Sequence, residues 1–218
     1  MPGLRTLDSA ATGRLAVTPE SLRIAIANQC RRPPSSDFDL NPDGRHPSSV
    51  RLRKAAVLIP VVFGAAGTTI ILTRRHEAMK HHPGQISFPG GKIEAFDAGP
   101  VEAALRESRE EIGLQAGCVD IIGPVPDHVT VTGFRVTPIV AVVANAFEPV
   151  PRDGEVDEIF EVPLAHVIDP ENYSIQERIW QGQLRRYFIV PYGPHYIWGA
   201  TARILGMLSS CIRDHGEN

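Results

Sequence analysis

Between Ala55 and Thr73 the chain runs for nineteen residues without a charge. A run of that length can cross a bilayer. Pro60 interrupts it, however, Gly64 and Gly67 bracket a turn, and Val61, Val62, Ile70 and Ile71 are β-branched. The pattern therefore predicts two strands, 55–63 and 68–74, joined at Gly64-Ala65-Ala66-Gly67. Shorter apolar runs predict further strands at 117–122, 136–143, 158–162 and 186–190. Helical spacing of apolar residues predicts three helices: 19–29 with Leu22, Ile24, Ala25 and Ile26, 100–112, and 201–213 with Ile204, Leu205, Leu208 and Ile212 on one side. Pro19 and Pro100 suit first helical turns, and Gly113 suits the residue that ends a helix. Arg31 to Ser49 is rich in Pro, Ser, Asp and Asn and reads as a surface loop or tether. The expected organisation is an N-terminal appendage over 1–50, one α/β domain over 51–213 and a tail at 214–218, without internal repeats.

Composition narrows the chemistry. With 43% hydrophobic and 22% charged residues over 218 positions, the chain can bury a substantial core, which excludes a peptide, a fibre and a disordered protein. Twenty-two Lys plus Arg against twenty-five Asp plus Glu leave a formal charge of −3. Bulk electrostatic binding of polynucleotide needs a basic excess, so no nucleic-acid partner is expected and an anionic ligand must be held locally. Cys30, Cys118 and Cys211 lie far apart, which suggests neither a disulfide framework nor a thiolate zinc site and fits a reducing cytoplasm. No secretory signal is evident and no membrane partner is expected.

The informative stretch is Phe88 to Leu114. On a helix over 100–112, Glu107, Glu110 and Glu111 stand at i, i+3 and i+4 and share one face. Carboxylates so spaced repel one another unless a cation joins them, and an all-oxygen set suits a hard ion, Mg²⁺ or Mn²⁺. Arg106 can pair with Glu110 or Glu102 and fix a carboxylate's direction. The plainer reading is a solvated acidic helix face. The context argues otherwise: Phe88-Pro89-Gly90-Gly91 lies immediately upstream, and paired glycines let backbone approach a metal or phosphate closely.

These residues resemble the box of the Nudix hydrolases, G-x5-E-x7-R-E-U-x-E-E-x-G-U with U aliphatic. Arg106 to Leu114 match it except at Ser108, which stands at the first aliphatic position. In the first half Asp97 replaces the glutamate, and one extra residue separates it from Arg106. That insertion is similar to one found in the coenzyme A pyrophosphatase branch. Upstream, Ile71-Leu72-Thr73-Arg74-Arg75-His76, Lys80, Gly84 and Phe88-Pro89-Gly90-Gly91 follow the register of that branch's signature, L-L-T-x-R-[SA]-x3-R-x3-G-x3-F-P-G-G. The resemblance covers about 50 to 213. It implies an α/β/α sandwich with a mixed sheet and cleavage of the pyrophosphate of coenzyme A or acyl-coenzyme A into adenosine 3′,5′-bisphosphate and 4′-phosphopantetheine or its acyl form. It also implies metal ligation by Glu107, Glu110, Glu111 and the Gly90 carbonyl. Glu107 is the first candidate for general base, with Glu155 or Glu158 as loop alternatives, and Arg106 is counted with Glu107 and Glu155 among the catalytic residues. Substrate contacts fall to Arg75, Lys80, Gly91 and Lys92, with His81 and His82 nearby. Phe88 and Trp198 are expected as core or pocket wall. Two other functions stay open: a Nudix enzyme acting on ADP-ribose, nucleotide sugars or dinucleotides, and a non-catalytic binding module. Two roles stay open for the first fifty residues, packing over the domain or mediating a homodimer.

Overall fold

The computed structural model describes residues 17–29, 33–42, 52–80, 82–180 and 182–216. One mixed sheet contains β1 (Ser35–Ser36), β2 (Arg53–Gly64), β3 (Gly67–Arg75), β4 (Ile86–Ser87), β5 (Gly90–Lys92), β6 (Val119–Pro124), β7 (His128–Val129), β8 (Phe134–Val143) and β9 (Val156–Pro163). A separate antiparallel ribbon pairs β10 (Ser174–Trp180) with β11 (Gln183–Ile189). The helices are α1 (Pro19–Gln29), α2 (Pro100–Ile112), α3 (Leu164–Ile168) and α4 (Gly199–Gly216).

The uncharged run from Ala55 to Thr73 forms the β2–β3 hairpin, closed by the Gly64–Gly67 pair around Ala65-Ala66. Among the described residues no helix is long and apolar enough to cross a membrane. The run is continuously apolar because these strands are covered on both sides. Alternate residues enter different cores. Ile59, Val61, Ile70, Leu72, Val140 and Val142 pack with Leu22, Ile26, Leu164, Leu205 and Leu208 from α1, α3 and α4. Ala56, Leu58, Ile71, Ile139 and Ala141 pack with Ala103, Ala104 and Ile112 of α2. The result is an α/β/α arrangement with a mixed sheet at its centre. Pro60 falls where β2 changes partner, between Val57, the last residue paired with β5, and Val61, which opens the pairing with β3 in the register Val61↔Ile70. A missing backbone donor is tolerated at such a break.

The first fifty residues are not an appendage in their described part. Leu22, Ala25 and Ile26 are fully buried, and α1 packs on α4 and β6. Within the expected loop, Ser35–Ser36 pair in parallel with His128–Val129. His128, itself fully buried, bridges Ser35 Oγ (2.8 Å) and Asp37 Oδ1 (3.2 Å) through its two ring nitrogens. Polar composition suggested a surface loop or tether; within 33–42 the side chains of Ser35, Ser36 and Asp37 are engaged in internal bonds, while 31–32 and 43–49 lie outside the described residues. The expected strand at 117–122 begins later, at Val119, because Ala116–Cys118 wind a 3-10 turn. The strand expected at 186–190 is the second half of the β10–β11 ribbon, whose first half is too polar to read from hydropathy. Cys211 is buried and Cys118 half-buried, while Cys30 lies outside the described residues.

Candidate active site

Helix α2 starts at Pro100 and stops at Gly113, which adopts a left-handed φ of 75° and donates its N–H to the Arg109 carbonyl. Ser108, where an aliphatic residue was expected, is fully buried, and its hydroxyl donates to the Ala104 carbonyl at 2.7 Å. The bond satisfies the polar atom inside the α2 core. Opposite the helix, β5 lies against β2 with Ala56 facing Gly91 and Val57 facing Gly90. The two glycines are needed for different reasons. A Cβ at Gly90 would stand 2.5 Å from the Ala56 carbonyl oxygen, and φ there is 157°. A Cβ at Gly91 would stand 2.5 Å from the Glu107 carboxylate. The glycine loop and the acidic helix therefore touch, as the sequence suggested.

Arg106 organises this contact. Its Nε and Nη2 each donate at 3.0 Å to the two oxygens of Asp97, Nη2 also reaches the Lys92 carbonyl at 3.1 Å, and Nη1 meets Glu107 Oε1 at 2.7 Å. Asp97, the residue displaced by the extra loop position, thus fixes Arg106, and Arg106 in turn fixes Glu107. Hydrogen bonding to Arg106 holds the Asp97 carboxyl below its ordinary range. The pairing expected between Arg106 and Glu102 does not occur. Glu102 instead accepts from the Ala98 N–H at 2.6 Å, while Arg106 Nη1 stands 3.7 Å from Glu110.

The three nominated glutamates have different surroundings. Glu110 is partly exposed and faces Arg152 Nη1 at 3.4 Å. Glu111 is only 5% exposed. It accepts from the Gly90 N–H at 3.1 Å and has Arg75 Nη1 at 3.9 Å. Burial, with repulsion from Glu107 and Glu155 added, pushes its carboxyl up to about 7 despite the Gly90 bond and the charge of Arg75. Among the described residues no three acidic, His or Cys side chains converge as a ready cage for an ion, since the glutamates turn toward Arg106, Arg152 and Arg75. The donor chemistry nonetheless fits a divalent ion: hard carboxylate oxygens on one helical face, one of them buried beside like charges, with a glycine backbone alongside. Of the two loop alternatives for general base, Glu155 pairs with Arg152 (3.4 Å) and acts electrostatically on Glu111. Glu158 belongs elsewhere. It is bonded to His195 and Arg74, each at 3.0 Å, and these bonds hold it below its ordinary range.

A cavity of about 400 Å³ opens beside Gly90. Arg75, His82 and Phe88 line it near the glycine loop. Lys80 and Lys92 are not among the residues that line it, and both are exposed. Lys92 contributes its backbone carbonyl to Arg106 instead. His81 lies outside the described residues. Trp198, expected as core or pocket wall, lines it, but the rest of the far wall was missed by sequence reasoning: Arg178, Arg185, Arg186 and Tyr187 from the β10–β11 ribbon. Basic and aromatic residues crowd 178–187 in the sequence, but only the fold turns them toward Gly90.

The NUDIX domain family model matches residues 52–181. The protein called "Uncharacterized Nudix hydrolase NudL" from Cronobacter sakazakii is 36% identical over 162 residues, spanning 74% of this chain and 84% of its own length. The protein of that name from Salmonella typhimurium is 36% identical over 170 residues, spanning 78% of this chain and 88% of its own. Among solved structures, the Nudix hydrolase RenU from M. smegmatis aligns at a TM-score of 0.45 with 23% identity, over 53% of this chain and 73% of RenU.

Proposed function

The chain belongs to the Nudix hydrolases, and on that premise we propose that it hydrolyses the pyrophosphate bond of coenzyme A or an acyl-coenzyme A, using Mg²⁺ or Mn²⁺. The observation that carries the reading is a junction. Arg75, from the stretch that resembles the coenzyme A branch, faces Glu111, from the Nudix box, beside Gly90 at the edge of the cavity. Two motifs separated in sequence thus meet where a diphosphate could lie between cation and cavity.

Glu107, Glu110 and Glu111 would hold the ion, with the Gly90 carbonyl adding a backbone oxygen. A bound divalent ion would neutralise charge on the diphosphate and acidify the attacking water. The protein's own groups do the rest. Arg106, clamped by Asp97, sets the direction of the Glu107 carboxylate. Glu107 takes the proton of the attacking water, with Glu155 as the alternative acceptor. Arg75 gives up its long contact with Glu111 and donates to a diphosphate oxygen. The apolar part of the cavity, Val57, Phe88 and Val136, excludes water around the nucleotide end.

The test is a substrate panel with Mg²⁺ and with Mn²⁺, products identified by mass. Coenzyme A or its thioesters should yield adenosine 3′,5′-bisphosphate. Intact coenzyme A under both ions, with ADP-ribose cleaved, would overturn the substrate and retain the reaction class.

A further inference from the structure

Three guanidinium groups face the glutamates of α2, and the fold holds them differently. Arg106 is locked: Asp97 takes two of its bonds and the Lys92 carbonyl a third, and its side chain is only 18% exposed. Arg75 stands at the edge of the cavity, 3.9 Å from Glu111. Arg152 comes from the segment between β8 and β9, and its side chain is 47% exposed. Its Nη1 lies 3.4 Å from Glu110 Oε2 and its Nε 3.4 Å from Glu155 Oε1, so one guanidinium spans carboxylates from two parts of the chain. Glu110 thus sits between Arg152 and Arg106, whose Nη1 is 3.7 Å away.

Backbone anchors this segment. The N–H groups of Val150 and Arg152 donate to the Ile112 and Glu111 carbonyls at 3.1 and 3.0 Å, which satisfies acceptors that the end of α2 leaves open. The Arg152 carbonyl in turn accepts from the N–H groups of Glu155 (3.1 Å) and Val156 (3.0 Å), where β9 begins. The main chain at Arg152 is therefore fixed beside the acidic stripe, while the side chain reaches its partners through two long, solvent-facing contacts. Contacts of that kind hold weakly. Their charge still matters, because Glu155 repels the buried Glu111 and Glu110 lies on the same helical face.

From this geometry, and resting on the divalent-ion reading above, we infer that Arg152 is an exchangeable counter-ion of the site. It neutralises Glu110 and Glu155 while no divalent ion is bound and gives up both carboxylates when one binds, so it sets how tightly the ion is held. Arg106 does not play this part, since its bonds to Asp97 and Lys92 keep it in place.

Calorimetric titration of the full chain with MnCl₂, without nucleotide, reads this exchange apart from turnover. Arg152→Gln should bind Mn²⁺ at least about fivefold more tightly than the wild type, the effect of removing a competing charge beside a divalent ion. Arg152→Lys keeps the charge without the fork and should fall between the two. Arg109→Gln removes an equal charge from an exposed position on the same helix and should shift the affinity by less than about twofold, because solvent screens it. Mn²⁺ binding by Arg152→Gln that matches the wild type or is weaker overturns the inference, weaker binding marking a residue that orients the carboxylates for the ion. An equal gain in Arg109→Gln also overturns it, since net charge would then account for the effect. A wild type that takes up no Mn²⁺ overturns the ion site together with this inference, whereas uptake unaltered in Arg152→Gln overturns this inference alone.

Discussion

Glu111 sits at 5% exposure with Glu107 and Glu155 acting on it, compensated by the Gly90 N–H and a long contact to Arg75. Its pKa rises on folding, from 4.5 to about 7. The folded state therefore binds this proton more tightly than the unfolded chain does. The stability that comes from binding it is fully present below about 4.5 and is lost as pH rises through 7. In metal-free protein, Glu111→Gln should raise the melting temperature at pH 8 by a few degrees, on the order of 1 to 2 kcal/mol. At pH 5 it should change it little, and it should cut ion-dependent hydrolysis by about a hundredfold or more. Thermal melts at the two pH values, beside a rate measurement, check this; a variant less stable at pH 8 would contradict it. The stripe of Glu107, Glu110 and Glu111 was legible because helical spacing fixes which residues share a face. The part played by Asp97 was not, because its bond to Arg106 depends on the path of an intervening loop.

At the scale of elements, the clearest parts to read were those whose ends carry their own signals: Pro100 and Gly113 around α2, and Gly64 and Gly67 around the β2–β3 turn. The β10–β11 ribbon carries exposed Ile179 and Leu184 and inward-facing arginines, which is the inverse of a buried strand's pattern, so hydropathy could not place it. Two adjacent glycines in β5 make a sharper comparison. Gly90→Ala drives a methyl group into the backbone of β2 at a positive φ, where little can yield. It should cost about 2 to 4 kcal/mol, seen as a fall in urea midpoint. Gly91→Ala meets the flexible end of Glu107 instead. It should cost less than about 1 kcal/mol and lower activity by displacing that carboxylate. Equal losses of stability in the two variants would contradict the assignment.

Across the whole molecule, residues 17–29 and 33–42 join the α1 layer, an edge of the main sheet and the cavity wall through Leu22, Ser35, Asp37 and Asn41. The sequence disclosed the helix and left its packing over the domain undecided, since burial of Leu22 depends on α4, almost two hundred residues later. Leu22→Ala should destabilise the protein by about 2 to 5 kcal/mol. A loosely attached appendage would show a change near zero in the same chemical denaturation experiment.

Cleavage as proposed depends above all on the acidic stripe of α2, beside the paired glycines, holding a divalent ion. Electron paramagnetic resonance of free Mn²⁺ titrated with protein tests this most directly. The wild type should deplete the free-ion signal, and Glu107→Gln/Glu110→Gln/Glu111→Gln should leave it close to that of buffer. Undiminished Mn²⁺ binding by the triple variant would place the ion elsewhere and contradict the assignment of the stripe as its site.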